Sequence, residues 1–193
     1  VLEVGDNFTI PGTMDVAYAL NVNAAPQCNI NRKVTKYDSD SDEALIWHPG
    51  YITSALLSSL IPTPADATME LTREFNVETR ELKVVVKGNS LKEIAYITVL
   101  VNQDNMLADQ VGASGDYYHT SPRAFLTKST GDQLVLDAEG NYLVEYTYTI
   151  PEKVGEFDCV LEDMEVVAYV HGDINDKNNR DVYNADKIDI LNK

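Results

Sequence analysis

The chain has 193 residues but only two cysteines, three histidines and one tryptophan, and its 15 lysines and arginines face 31 aspartates and glutamates. Each shortage removes a class of function. Cys28 and Cys159 lie too far apart for a Cys-x-x-Cys redox pair and are too few for a disulfide framework, which leaves two buried thiols or a single bridge between the halves. His48, His119 and His171 never fall at the i, i+4 spacing that lets two imidazoles on one helix face share a metal. The phosphate-cradling patterns Gly-x-Gly-x-x-Gly and Gly-x-x-x-x-Gly-Lys are missing, as is the Gly-x-Ser-x-Gly elbow that exposes a nucleophilic serine. With no motif bringing nucleophile, base and oxyanion donor together, the sequence reads as non-enzymatic.

A formal net charge of −16 repels phosphate backbones and anionic headgroups, so nucleic acid and bare anionic membrane are excluded as partners. No stretch approaches the roughly 20 apolar residues that span a bilayer, so membrane attachment would need a segment outside these residues. The first residue is Val1 rather than Met and no leader pattern precedes it, which reads as a mature or trimmed product. Length alone allows one or two domains whose cores need no staple.

What is present changes character near residue 62. In residues 17–22 and 28–34, two short apolar runs flank Pro26 and read as extended segments hinged at that proline. A polar run at 38–43 then offers aspartates to cap a following helix, in which Leu45, Ile46, Ile52, Ala55, Leu56 and Leu60 roughly keep a helical period. Pro49 falls in an early turn or marks the true start, and Pro62 and Pro64 close the helix as a stiff linker. From there on period two dominates. Leu82, Val84 and Val86 share one face opposite Lys83 and Lys87, and Tyr142, Val144, Tyr146 and Tyr148 face away from Glu145 and Thr147. Residues 94–101 are apolar on both faces and predict a central strand. Turn signals such as Lys87-Gly88-Asn89, Thr130-Gly131-Asp132 and Glu139-Gly140-Asn141 separate the runs. The expected fold is therefore mainly β: an antiparallel Ig-like β-sandwich over residues 65–193, preceded by a small α/β segment over residues 1–64.

Candidate chemistry is sparse. Tyr117, Tyr118, His119 and Arg123 fall in an aromatic and polar stretch, 116–123, that reads as a loop between strands. Exposed tyrosines stack on sugars or grip peptides, although adjacent residues in an extended stretch point opposite ways, so one of the pair is expected to be buried. Calcium is the one cofactor the composition invites. Asp38, Asp40 and Asp42 alternate like an oxygen-ligand loop, and residues 173–181 are rich in Asp and Asn. Neither run has Gly at the sixth position and the second places Lys177 at its fifth, so solvated turns and a helix cap are favoured over calcium and no cofactor is expected.

Val99, Asn102, Gln110, Tyr118-His119, Arg123 and Gly131, with the later Val166-Val167-Ala168-Tyr169-Val170 run and Asn184-Ala185, form a pattern that resembles the twenty-eight-kilodalton outer-membrane protein family of Bacteroidetes. The segment Pro26-Gln27-Cys28-Asn29-Ile30-Asn31-Arg32 is similar to that family's Pro-x-x-x-Asn-Arg turn, so the resemblance covers most of the chain. It implies an exported, often lipidated protein at the outer membrane or cell surface, with a thioredoxin-like domain followed by a β-sandwich. Residues 1–64 then correspond to the C-terminal half of a thioredoxin-like fold, with Pro26 at its cis-proline. The half that would carry a Cys-x-x-Cys is not in this sequence, so thiol-disulfide activity does not carry over. A half fold cannot bury its own sheet, so these residues should dock on the sandwich, pair with a missing piece, or pack in some other way. The function expected is that of a non-enzymatic, outer-membrane-associated binding or accessory protein whose partner is an envelope protein, a peptide or a glycan. The alternatives are a carbohydrate- or peptide-binding module, an adhesive subunit, and a redox protein lacking its active half.

Overall fold

The alternating residues after position 66 form two antiparallel sheets in the computed structural model, which describes residues 8–34, 36, 44–109 and 114–192. In the first sheet, β1 (Ala67–Asn76) and β2 (Glu81–Ser90) make a hairpin, and β6 (Asn141–Thr149) pairs with the other edge of β2. The hairpin turns where Asn76 Oδ1 accepts from the amides of Glu78 and Thr79, and Arg80 takes a left-handed conformation. Leu82, Val84 and Val86 are fully buried, whereas Lys83 and Lys87 reach solvent and pair with Glu145 at 3.2 Å and Glu70 at 3.0 Å. The period-two pattern thus sorts side chains as the pleat requires.

The second sheet runs β10 (Val182–Asp189), β9 (Met164–His171), β3 (Tyr96–Asp109), β4 (Asp116–Phe125), with the short β5 (Asp132–Gln133) also on β3. Ile97, Val99 and Val101 of β3 and Val166, Ala168 and Val170 of β9 turn inward and meet the first sheet in one core. The isoleucine and each valine contribute about 1.5–3 kcal/mol by leaving water. On one side β1 and β10 are laced together: Arg73 Nε donates to Asp189 O at 2.8 Å and Asn184 Nδ2 to Ala67 O at 3.0 Å. On the other side β4 and β6 are unpaired edges. A small hairpin, β7 (Lys153–Val154) with β8 (Phe157–Asp158), and the N-terminal segment fill the seam between them.

The fold is mainly β and antiparallel, and β3 lies inside its sheet as the doubly apolar run predicted. The strand starts at Tyr96, leaving Ile94 exposed, and continues to Asp109. Its outer face is buried as well as its inner one at Thr98, Leu100 and Asn102, and Arg32 of the N-terminal segment reaches that face at His171, which bonds Thr98.

That segment differs from the expectation of two extended pieces. Residues 13–19 form helix α1 (Thr13–Ala19), because Thr13, Val16 and Ala17 bury at helical spacing, a signal the short run 17–22 conceals. After it the Ala25–Pro26 bond is cis, as the family resemblance implied, but among the described residues the pairing there is one isolated bridge, Cys28 with Trp47. The second helix is also shorter than its period suggested. His48 is extended before Pro49, residues Pro49–Tyr51 make a 3-10 turn, and α2 (Ser54–Leu60) begins only where Thr53 Oγ1 accepts from Leu56 N. The cap is thus Thr53. The aspartates at 38–43, proposed as cap or calcium ligands, lie outside the described residues. In residues 173–181, Asp173 Oδ1 accepts from Asn175 N and Asp176 Oδ1 from Asn178 N, so these carboxylates close turns. Both cysteines are free thiols, Cys159 buried and Cys28 only partly so.

Of the three arrangements open to the N-terminal segment, it docks on the sandwich. Asn31 and Arg32 both adopt left-handed backbone, turning the Arg32 side chain onto the outer face of β3 and β9. Arg32 Nη2 donates to Tyr169 Oη at 3.2 Å, its guanidinium stacks 5.1 Å from the Tyr169 ring centre, and Nη1 lies 3.0 Å from His171 Nδ1. His171 is fully buried, with Nε2 2.8 Å from Thr98 Oγ1 and Nδ1 2.6 Å from Gly172 O. A lone pair at Nδ1 takes the Arg32 proton, whereas a proton there serves Gly172, so one neutral ring satisfies only one neighbour. Burial first, and the Arg32 charge second, lower the His171 pKa to about 3.

Two expectations follow. The unfolded chain takes up a proton near pH 6.5 that folded His171 refuses down to about pH 3, so stability present above 6.5 is lost as pH falls. Relative to His171→Gln, the wild-type should lose about 1.4 kcal/mol per pH unit below about 6.5; urea melts between pH 7.5 and 5 (~ values that keep carboxylates ionised) measure this, and parallel pH profiles would refute it. Gly131 has φ +98°, and a Cβ there would lie 2.7 Å from the His171 ring. Gly131→Ala should therefore cost about 2 kcal/mol or more in the same melts.

Candidate functional site

The stretch carrying Tyr117, Tyr118, His119 and Arg123 is strand β4, not the expected loop. Its run of aromatic and β-branched side chains suits a pleated surface, and β3 supplies a partner long enough to pair with it. Two irregularities in that pairing decide where each side chain goes. Gln103 opposes Ser121 and Met106 opposes His119, so β3 carries an extra residue, accommodated where Asn105 turns left-handed. Asn102 opposes Pro122 and Val101 opposes Ala124, so Arg123 is skipped in the register of β4. Such a bulge bends the strand and re-aims the residue it carries.

Beyond the first irregularity β9 no longer accompanies β3, whose pairing with β9 ends at Gln103. From Met106 and His119 outward, β3 and β4 continue as a two-stranded ribbon. Leu107 and Tyr118 face each other across it, 54% and 75% exposed. Tyr117, opposite Ala108, lies on the other face and is also exposed, so the expectation that one tyrosine would be buried is corrected: a bare ribbon has solvent on both sides.

The remaining two residues turn inward. His119 lies beneath Phe8, ring centres 4.7 Å apart, and Phe8 stacks on Phe157 at 4.4 Å. Its Nε2 is 3.3 Å from Ala108 O. Ser121 and Gln103, cross-strand partners, are fully buried beside it in the register. Gln103 Nε2 donates to Asp158 O at 3.0 Å, but Gln103 Oε1 and Ser121 Oγ have no partner among the described residues. Arg123, only 3% exposed, donates from Nη2 to Val154 O at 2.9 Å and Phe157 O at 3.0 Å, and its Nε is unpartnered. These contacts close the β7–β8 hairpin over the seam.

The four residues foreseen as one ligand surface therefore divide into an exposed ribbon and a buried polar strip. Ser121, Gln103 and Phe8 were not foreseen. The signal for Ser121 was available in the alternation His119, Ser121, Arg123, which is one strand face once the stretch is read as extended. Arg123 also borders a cleft of about 630 Å³ between the seam and the N-terminal segment, with Pro11, Asp15, Phe125, Ser129 and Tyr148 among its walls. A second cleft of about 400 Å³ lies beside Pro26, lined by Trp47, His48 and Tyr51. Among the described residues no group of three or more His, Cys, Asp or Glu side chains could hold a metal ion, and no helix is long and apolar enough to cross a membrane.

Comparison with known proteins places the fold. HBP35 of Porphyromonas gingivalis superposes with a TM-score of 0.72 at 19% identity, over 92% of this chain and 56% of that one. This likeness shows a shared fold, and the chain spans little more than half of that protein's length. The sporulation control protein Spo0M of Bacillus subtilis matches at a TM-score of 0.37 and 11% identity, over 65% of this chain and 49% of its own, too weak to carry an argument. No family model and no curated protein matches the chain.

The orphaned hydroxyl yields a test. Ser121→Ala removes a buried polar atom that has no partner, so stability should stay level or rise by up to about 1 kcal/mol. A loss of that size in urea denaturation would show that the hydroxyl is held after all.

Proposed function

We propose that the chain is a non-enzymatic, extracytoplasmic binding or accessory protein, an outer-membrane-associated subunit of a Gram-negative envelope, which presents the β3–β4 ribbon to a protein partner. The observation that carries this reading is the exposed Leu107–Tyr118 pair, on a ribbon that runs past the last backbone pairing with β9. A bare two-stranded ribbon is marginal in water, and an apolar and aromatic pair at its surface gains most by being covered. The resemblance to the Bacteroidetes outer-membrane family supports an envelope setting, and HBP35, which shares the fold, comes from Porphyromonas gingivalis, an organism of the same group. The non-catalytic reading draws support from the β4 side chains themselves. The one Ser–His neighbourhood on this strand is sealed under Phe8, and Ser121 Oγ makes no bond to any base. A glycan-binding module remains the rival, since tyrosines also stack on sugars.

The test compares capture from solubilised outer membranes by the intact protein and by a Leu107→Ser, Tyr118→Ser variant. Both sites are exposed, so the variant should melt within about 0.5 kcal/mol of wild-type. It should lose at least about 1.4 kcal/mol, or tenfold, in affinity for the captured protein. Undiminished capture would reject the ribbon, and saturable binding on a glycan array that the same variant abolishes would favour the rival.

A further inference from the structure

The cleft beside Arg123 is separate from the ribbon and does not depend on the reading given to it. Other arginines of the chain show how a guanidinium can be used up by backbone. Arg80 donates from Nε and Nη2 to the carbonyls of Ile150, Pro151 and Cys159. Arg123 is more constrained and less satisfied: its Nη2 serves two carbonyls, its Nε serves nothing, and no carboxylate pairs with it among the described residues. Arg180 also leaves Nε empty but borders neither cleft. Arg123 alone combines near-complete burial, no carboxylate partner among the described residues and a place in the wall of a cleft large enough for a ligand, within the range of about 300–1,000 Å³ usual for small-molecule sites.

A buried cation without an anion is costly, and a carboxylate is the counter-ion whose charge a guanidinium complements. The bulge that removes Arg123 from the β4 register holds it at the seam instead of on the ladder. Phe125 and Val154 give the cleft apolar walls, Tyr148 a half-buried phenol, and Asp15 and Ser129 an acceptor-rich rim on the N-terminal side. Asp15 disfavours a second negative charge and can accept from peptide N–H groups. We propose that this cleft binds a single carboxylate carried by a short peptide, with Arg123 as the buried counter-ion. The carboxylate comes either from the peptide's free C-terminus or from an acidic side chain.

Titration calorimetry on the full chain separates these sources. Four probes share one apolar tripeptide: the free acid, its C-terminal amide, an amide with one Glu side chain, and a fully capped neutral form. Binding by the free acid alone assigns a C-terminal carboxylate, binding by the Glu peptide alone assigns a side chain, and either result supports the site. The capped neutral form should bind at least about tenfold more weakly. Arg123→Met, which keeps the aliphatic stem, should weaken the acid at least about tenfold as well. Should that variant fail to melt cooperatively, Thr130→Trp, placed at a half-buried cleft position, should block binding with Arg123 intact. The Leu107→Ser, Tyr118→Ser variant should bind the peptide as wild-type does, which distinguishes failure here from failure of the ribbon. Absence of saturable binding up to about 1 mM peptide, equal binding of the neutral form, or undiminished binding by a folded Arg123→Met protein would overturn the proposal.

Discussion

Burial of β3 on both faces is the constraint from which most of this structure follows. A strand with apolar residues on alternate sides must be covered twice. The three-stranded sheet covers Ile97, Val99 and Val101, and on the other face Arg32 of the N-terminal segment packs on Tyr169 and on His171, which bonds Thr98. That segment buries Phe8, Ile10, Val16 and Trp47, and polar groups fasten it as well: Arg32 against Tyr169 and His171, Asn31 O accepting from Val182 N at 2.9 Å, and Lys33 near Asp181 at 3.8 Å. The last of these is partly exposed and adds little. The arginine is the buried polar contact of this attachment, and its exchange for a shorter or neutral side chain would remove the group that covers Tyr169 and His171.

The same requirement for cover explains the opposite edge. β1 and β10 are tied together on one side of the sandwich, while β4 and β6 are edges that could template further pairing. The bulge at Arg123, the β7–β8 hairpin and the stacked Phe8 and Phe157 fill that seam in place of a strand. Packing an edge with side chains leaves gaps that a continuous ladder does not. The orphaned atoms of Gln103, Ser121 and Arg123 and the neighbouring cleft are the local consequence.

Much of the sandwich was legible because period two is a strong signal when one face is buried: Leu82, Val84 and Val86 against Lys83 and Lys87 admit one reading. The edge strand was less legible. Tyr117 to Arg123 mixes polar and aromatic residues on both faces, since one face looks into a polar seam and the other into solvent, and no alternation of hydropathy marks it as a strand. Helix α1 was hidden for a different reason. Its buried side chains Thr13, Val16 and Ala17 include a polar residue, and the run 17–22 that stood out overlaps only its end. Pro26 was placed correctly through a family resemblance, while the described residues around it form no strand and pair in a single bridge at Cys28 and Trp47. The site residues were found one by one but misassembled: with the stretch read as a loop, the alternation that puts His119, Ser121 and Arg123 on one buried face could not be used.

The position of the cations also changes what the net charge means. Arg32, Arg123 and Arg180 are buried, so part of the positive charge in the formal −16 is withdrawn from the surface. The exterior seen by an approaching molecule is therefore more acidic than the composition states, and long-range forces work against any anion. Recognition of a carboxylate by such a protein cannot rely on steering; it has to come from a short-range, desolvated contact with a cation held inside a cleft, where screening by salt is weak. The exposed ribbon is under the opposite condition. Its tip is bounded by Asp109 and Asp116, so a protein partner for Leu107 and Tyr118 is favoured when its own rim is basic. One acidic surface can thus support two kinds of contact, because the charge that repels small anions in solution is the charge that draws a basic rim onto the ribbon.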